Sequence, residues 1–120
     1  LGMGVSFTQL AWVRTQFSER LGFEPYPGTL NVIVDEPDTI PVWIRLKRTE
    51  GIPMENPNNG PHDCDAKCWL VSIGDEIDAA IVLPLIEDYP PAQVEVVAPV
   101  GLRATLGIED GDRVILTLKT

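Results

Sequence analysis

Leu21-Gly22-Phe23-Glu24-Pro25-Tyr26-Pro27-Gly28-Thr29-Leu30-Asn31-Val32 is the stretch from which the rest of the chain can be ordered. Before it, Leu10, Val13, Phe17 and Leu21 recur at three- and four-residue steps, an apolar helical stripe that stops at Gly22. Glycine has no Cβ and so accepts the left-handed backbone that closes a helix. Pro25 and Pro27 then hold the chain extended and remove two backbone donors. Gly28 lets another group approach the main chain, and the apolar run over residues 30–34 reads as a strand. Thr29 and Asn31 are one strand period apart, so their oxygen-bearing side chains share a face. Two neutral oxygens there suit a hard cation such as magnesium, whose other ligands are water and phosphate. The same pair also suits a rigid turn in which Thr and Asn satisfy local backbone groups.

Toward the amino terminus, Leu1, Gly2, Met3, Gly4, Val5 and Ser6 read as a loop. Gly2 and Gly4 allow successive N–H groups to face one concavity, a nest for anionic oxygens, although no Gly-Lys-Ser/Thr ending makes it a P-loop. Ser6 and Gln9 have the spacing of a capping box that opens the helix. Arg14, Glu19 and Arg20 fall off the apolar stripe, and Trp12 is expected to pack rather than stack on a ligand.

Toward the carboxyl terminus, residues 42–47 alternate in part and are expected to form a strand, and residues 49–61 carry loop chemistry almost throughout. Residues 67–73 and 77–85 flank Gly74-Asp75-Glu76 as a hairpin. Residues 94–97 form another strand, residues 100–106 a turn or two of helix, and Asp110-Gly111-Asp112 leads into a last strand over 114–118. Many short strands with one capped helix predict an all-β barrel in a single domain.

Eighteen acidic against nine basic residues give a net charge of −9. That balance argues against nucleic acid and anionic membrane surfaces as partners, since both need a basic face. No apolar run is long enough to span a bilayer and no signal peptide is visible, so a cytoplasmic protein is expected. His62, Cys64 and Cys68 are potential soft ligands, but a structural zinc site takes four, and no further His or Cys exists. Ordinary loop or core cysteines are the expectation.

Residues 22–31 resemble the central motif of the CTP-dependent, archaeal-type riboflavin kinases. Two further segments are similar to that family in its order and spacing: Leu1-Gly2-Met3-Gly4, and Val94-Glu95-Val96-Val97-Ala98-Pro99-Val100-Gly101-Leu102-Arg103 with Gly107 and Asp110-Gly111-Asp112. The resemblance covers most of the chain and is weakest over residues 35–67. It implies a six-stranded cradle-loop barrel whose first strand would precede Leu1, so earlier residues are expected. It implies phosphoryl transfer from CTP to the riboflavin 5′-hydroxyl, giving FMN and CDP, with Mg2+ held by Thr29 and Asn31. Residues 1–6 together with Val100, Gly101, Leu102 and Arg103 would contact the nucleotide.

Glu95 would serve the flavin side, as proton acceptor or as anchor for the ribityl hydroxyls. Its valine neighbours predict desolvation and a raised pKa. In an ungapped comparison, Glu87 stands where the family carries a flavin-contacting threonine, in Leu85-Ile86-Glu87-Asp88-Tyr89. A carboxylate there adds repulsion near a new phosphate. Two alternatives stay open: a kinase of the same fold with another small-molecule acceptor, and a non-catalytic nucleotide- or flavin-binding module.

Overall fold

A computed structural model describes residues 11–26, 29–55, 65–74, 76–109 and 112–119, the side chains of Ala11 and Trp12 excepted. The glycine-rich start, the capping box, Pro27, Gly28, His62, Cys64, Asp110 and Gly111 lie outside the described residues.

Helix α1 (Ala11–Gln16) widens into a π-helical turn (Phe17–Leu21). The Gly22 amide donates to the Phe17 carbonyl at 2.9 Å, five residues back, from a left-handed backbone with φ of 83°. The turn keeps Val13, Phe17 and Leu21 on one buried stripe, as the spacing predicts, and leaves Arg14, Glu19 and Arg20 exposed. Exposed Arg14 pairs with Glu24, tying the helix to the bend that follows.

Six strands form one antiparallel sheet: β1 (Leu30–Ile33), β2 (Ile52–Met54), β3 (Ala66–Ile73), β4 (Ile77–Pro84), β5 (Gln93–Val97) and β6 (Leu116–Leu118). The path runs β1-β5-β4-β3-β2, and β6 also pairs with β3. Strand β3 is long enough to hold both partners on one edge: Ala66, Lys67 and Cys68 face β2, while Val71, Ser72 and Ile73 face β6. The result is a curled half-barrel, in agreement with the all-β expectation. The hairpin of β3 and β4 stands where the sequence put it, with Ile73 opposite Ile77.

Alternation along each strand sorts the core into two. The concave side holds Leu30, Trp69, Val71, Ile73, Ile81, Val94 and Val96, and the other side holds Cys68, Ala80, Val82 and Val97 beneath Val13, Phe17 and Leu21.

Residues 42–47 are not a strand. They belong to helix α2 (Ile40–Lys47), with Pro41 in its first turn where a missing N–H costs nothing. The apparent alternation misled because Val42 and Ile44 are exposed, at 44% and 41%, whereas Trp43 turns inward against Trp69 with ring centroids 6.0 Å apart. Strand β2 lies inside the segment expected to be loop almost throughout. Its central Pro53 is tolerated because β2 is an edge strand. The last strand is also shorter than expected, and helix α3 (Leu102–Leu106) occupies the predicted helical segment.

Candidate functional site

The bend after the π turn delivers Thr29 and Asn31 to the edge strand β1. The Thr29 hydroxyl donates to Asn31 Oδ1 at 3.4 Å, so the two oxygens converge as their strand spacing implies. Adjacent oxygens around an octahedral magnesium at its usual bond length sit about 2.9 Å apart. The pair, at 3.4 Å, is wider than that spacing by about half an ångström, and Asn31 is exposed enough to admit waters and a phosphate beside it.

The Tyr26 amide donates to the Ala98 carbonyl at 2.7 Å, drawing the bend against the segment that follows β5. Between them lies a cavity of about 230 Å3 whose lining includes Tyr26, Thr29, Val100, Gly101, Leu102 and Arg103. Two parts of the chain read separately in the sequence, the central motif and the segment that ends β5 and follows it, therefore meet at one place. Arg103 is the charged residue among the described residues of that lining, in a chain that as a whole is strongly acidic. Such a site can accept phosphate where most of the surface repels it. Gly101 lets Tyr26 approach closely: a Cβ there would lie 3.1 Å from the ring's Cζ, and the ring would have to give by a few tenths of an ångström. Tyr26 had no role assigned from the sequence, although an aromatic held between two prolines was the available sign.

A wider groove of about 770 Å3 opens on the concave side and shares Leu30 and Arg103 with the small cavity. Asn31 stands on its wall, with Trp43, Leu46, Val71, Ile81 and Val94 supplying apolar surface. Its volume falls in the range of small-molecule sites, and Asp35, Glu36, Glu109 and Asp112 line it beside the apolar residues.

Glu95 lies opposite Asn31 in the β1–β5 register and opposite Val82 in β4. It is 2% exposed, the buried charged residue among the described ones, and burial pushes its carboxyl pKa upward. The desolvation expected from its valine neighbours is therefore present. Glu95 lines neither cavity; it sits on the side of the sheet beneath the helix, sharing the face of Asn31 at the sheet edge.

The hydroxyl of Tyr89 donates to the Glu95 carboxylate, which counters the upward shift. Gln93 Nε2 in turn donates to the Tyr89 oxygen at 3.2 Å. Burial pushes the Tyr89 hydroxyl up to about 12, so it remains a donor at neutral pH. Neither Tyr89 nor Gln93 was singled out in the sequence; the two-residue step from Gln93 to Glu95, which puts both on one face of the strand, was the signal.

Glu87 is exposed in the same turn and lines neither cavity. That turn is clamped to α2: Trp43 Nε1 and Lys47 Nζ both donate to the Pro91 carbonyl, at 3.1 and 2.9 Å.

Cys68 is a buried free thiol facing Ile52 across the sheet, a core cysteine as expected. Among the described residues no cluster of His, Cys, Asp and Glu could hold a metal, and no helix is long and apolar enough to cross a membrane.

Residues 1–118 match a family model described as "CTP-dep_RFKase: Domain of unknown function DUF120". Among curated proteins, the chain is 42% identical over 119 residues to a riboflavin kinase of Methanocella arvoryzae, covering 99% of this chain and 53% of that protein. It is 39% identical over 120 residues to a riboflavin kinase of Methanosarcina barkeri, covering 99% and 52%. A riboflavin kinase of Methanothermobacter thermautotrophicus is 38% identical over 120 residues, covering 99% and 92%. The chain thus spans about half the length of the first two relatives and nearly all of the third. With two of the family's motifs meeting at one cavity and the match running almost end to end, the chain belongs to the CTP-dependent riboflavin kinase domain family.

Proposed function

We propose that this domain transfers the γ-phosphate of CTP to the 5′-hydroxyl of riboflavin, giving FMN and CDP, with a magnesium ion at Thr29 and Asn31. The observation that carries the reading is the meeting of the Thr29 hydroxyl, itself bonded to Asn31 Oδ1, with residues 100–103 at one cavity lined by Arg103. The family membership and the names of the relatives support it.

In this reading Arg103 offsets charge on the nucleotide phosphates. The backbone groups of Val100 and Gly101 meet the base, and Tyr26 closes the mouth of the cavity. Bound magnesium neutralises phosphate charge and orients the transferred group. Glu95, one strand across from Asn31, takes the proton of the attacking hydroxyl or anchors the ribityl chain. A raised pKa improves it as a proton acceptor near neutral pH.

Purified protein incubated with riboflavin and γ-labelled CTP should yield labelled FMN only when a divalent cation is present. Thr29→Ala combined with Asn31→Ala should lower that rate by at least ~100-fold, the scale set by losing a preorganised electrostatic partner. Equal product in the presence of a chelator would remove the metal from the reading, and labelling of another alcohol in preference to riboflavin would replace the acceptor.

A further inference from the structure

Tyr26 stands between Pro25 and Pro27, which restrict the backbone on both sides of it and favour an extended path. Two contacts hold it against the segment that follows β5. Its amide donates to the Ala98 carbonyl at 2.7 Å, and the hydroxyl end of its ring lies against Gly101, three residues further on. A Cβ built on Gly101 would meet the ring's Cζ at 3.1 Å, Oη at 3.3 Å and Cε1 at 3.4 Å, and these are its three nearest atoms. The Gly101 backbone is extended, with φ of −73°, a conformation open to any residue. The closeness of the ring, rather than the backbone, is what favours glycine there.

Although 49% exposed, the Tyr26 ring forms part of the cavity wall. Among the described residues it is the aromatic group of that lining. Leu30, Val96, Ala98, Val100 and Leu102 supply aliphatic surface, and Arg103 supplies charge. At about 230 Å3 the cavity is smaller than the range of about 300–1,000 Å3 found for sites that take a whole drug-sized molecule. It has room for one moiety of a ligand. An aromatic wall, aliphatic surroundings and a cation suit a single flat ring that carries an anionic tail.

We infer that Tyr26, held against Gly101, limits this site to a single-ring base and so selects a pyrimidine nucleotide over a purine nucleotide. The inference rests on the proposed nucleotide site and assigns its size selectivity to one side chain. Contact with an aromatic ring attracts either kind of base. A ring fixed by its backbone at Ala98 and by its hydroxyl end at Gly101 denies space to the second, fused ring of a purine.

The test is calorimetry on the whole chain in magnesium buffer, with CDP and ADP as probes, so that no turnover is needed. The wild type should bind CDP more tightly than ADP. Tyr26→Ala should weaken CDP about tenfold, the scale of losing an aromatic–base contact, and should strengthen ADP severalfold by opening the wall. Tyr26→Phe keeps the ring and should return both affinities toward the wild type. Gly101→Ala should weaken CDP while Tyr26 is present and do much less in Tyr26→Ala, where its methyl meets no ring. A merely structural tyrosine would weaken both nucleotides together. Failure of ADP to gain therefore overturns the inference, as does a Gly101→Ala effect equal in the two backgrounds. If Tyr26→Ala does not fold, Tyr26→Leu, which loses the flat ring but keeps apolar bulk, is judged by the same two affinities. A wild type that binds neither nucleotide removes the nucleotide site and this inference with it. CDP binding that is indifferent to Tyr26 overturns the inference alone and leaves the proposed function standing.

Discussion

On its concave side β5 gives Val94 and Val96 to the core, and on the other side the same strand gives Glu95 and Val97. The concave side needs only shape and hydrophobicity, and aromatic packing of Trp43 on Trp69 completes it. The side beneath α1 is equally dry but retains a carboxyl group. Burying a carboxyl contributes little or nothing to stability, and a well-packed apolar residue serves a core as well or better. The difference between the two sides therefore marks Glu95 as a residue kept for what it does rather than for what it holds together. Its place opposite Asn31 gives that conclusion a location, the same sheet edge that carries the convergent oxygens.

The largest effect should come from uncovering the side that bears Glu95. Phe17 is fully buried and meets Phe23 edge to face, with centroids 5.6 Å apart. Phe17→Ala should cost about 3–5 kcal/mol, whereas Ile81→Val on the concave side should cost about 0.5–1.5 kcal/mol. Urea unfolding at constant slope measures both. Equal costs would mean that the helix is not what seals the polar side.

Cys68 sharpens the same contrast. It is fully buried under the helix, and desolvation pushes its thiol up to about 12. At pH 8 only about one molecule in ten thousand would then carry the thiolate that reacts. In a Cys64→Ser background, Ellman's reagent at pH 8 should titrate no thiol in the native protein and one in guanidinium. Prompt reaction of the native protein would show that water reaches the face on which Glu95 is buried.

How much of this was legible beforehand depended on whether local signals agreed. Gly22, the period of the first helix and the hairpin around Gly74 were readable because spacing, capping and turn chemistry pointed the same way. The convergence of Thr29 and Asn31 followed from strand period alone, and the desolvation of Glu95 from its valine neighbours. Helix α2 was missed because Val42 and Ile44 mimic alternation while lying on an exposed helical face. Strand β2 was missed because Pro53 and the surrounding turn residues outweigh three strand positions that exist only through pairing with β3. Tyr26 and Tyr89 escaped for a different reason. Each acts through a partner distant in the sequence or across a turn, Gly101 in one case and Glu95 in the other, and no local pattern encodes such a contact.

The smallest effect, and the one most specific to the comparison, is expected from Glu95→Gln read as stability against pH. Burial raises the Glu95 pKa in the folded chain above its unfolded value. Between those two values the folded state binds the extra proton, so stability falls as pH rises through that window. The stabilisation is fully present below the unfolded pKa and is lost once pH passes the folded one. Glutamine has nearly the same shape and no proton to lose. The variant and the wild type should therefore melt close together at acid pH, and the variant should gain on the wild type as pH rises, levelling off above the folded pKa. An apolar-side control such as Ile81→Val should shift melting by the same amount at every pH. If the Glu95→Gln difference is equally flat, the carboxyl is solvated, and the contrast between the two sides of the sheet loses its physical basis.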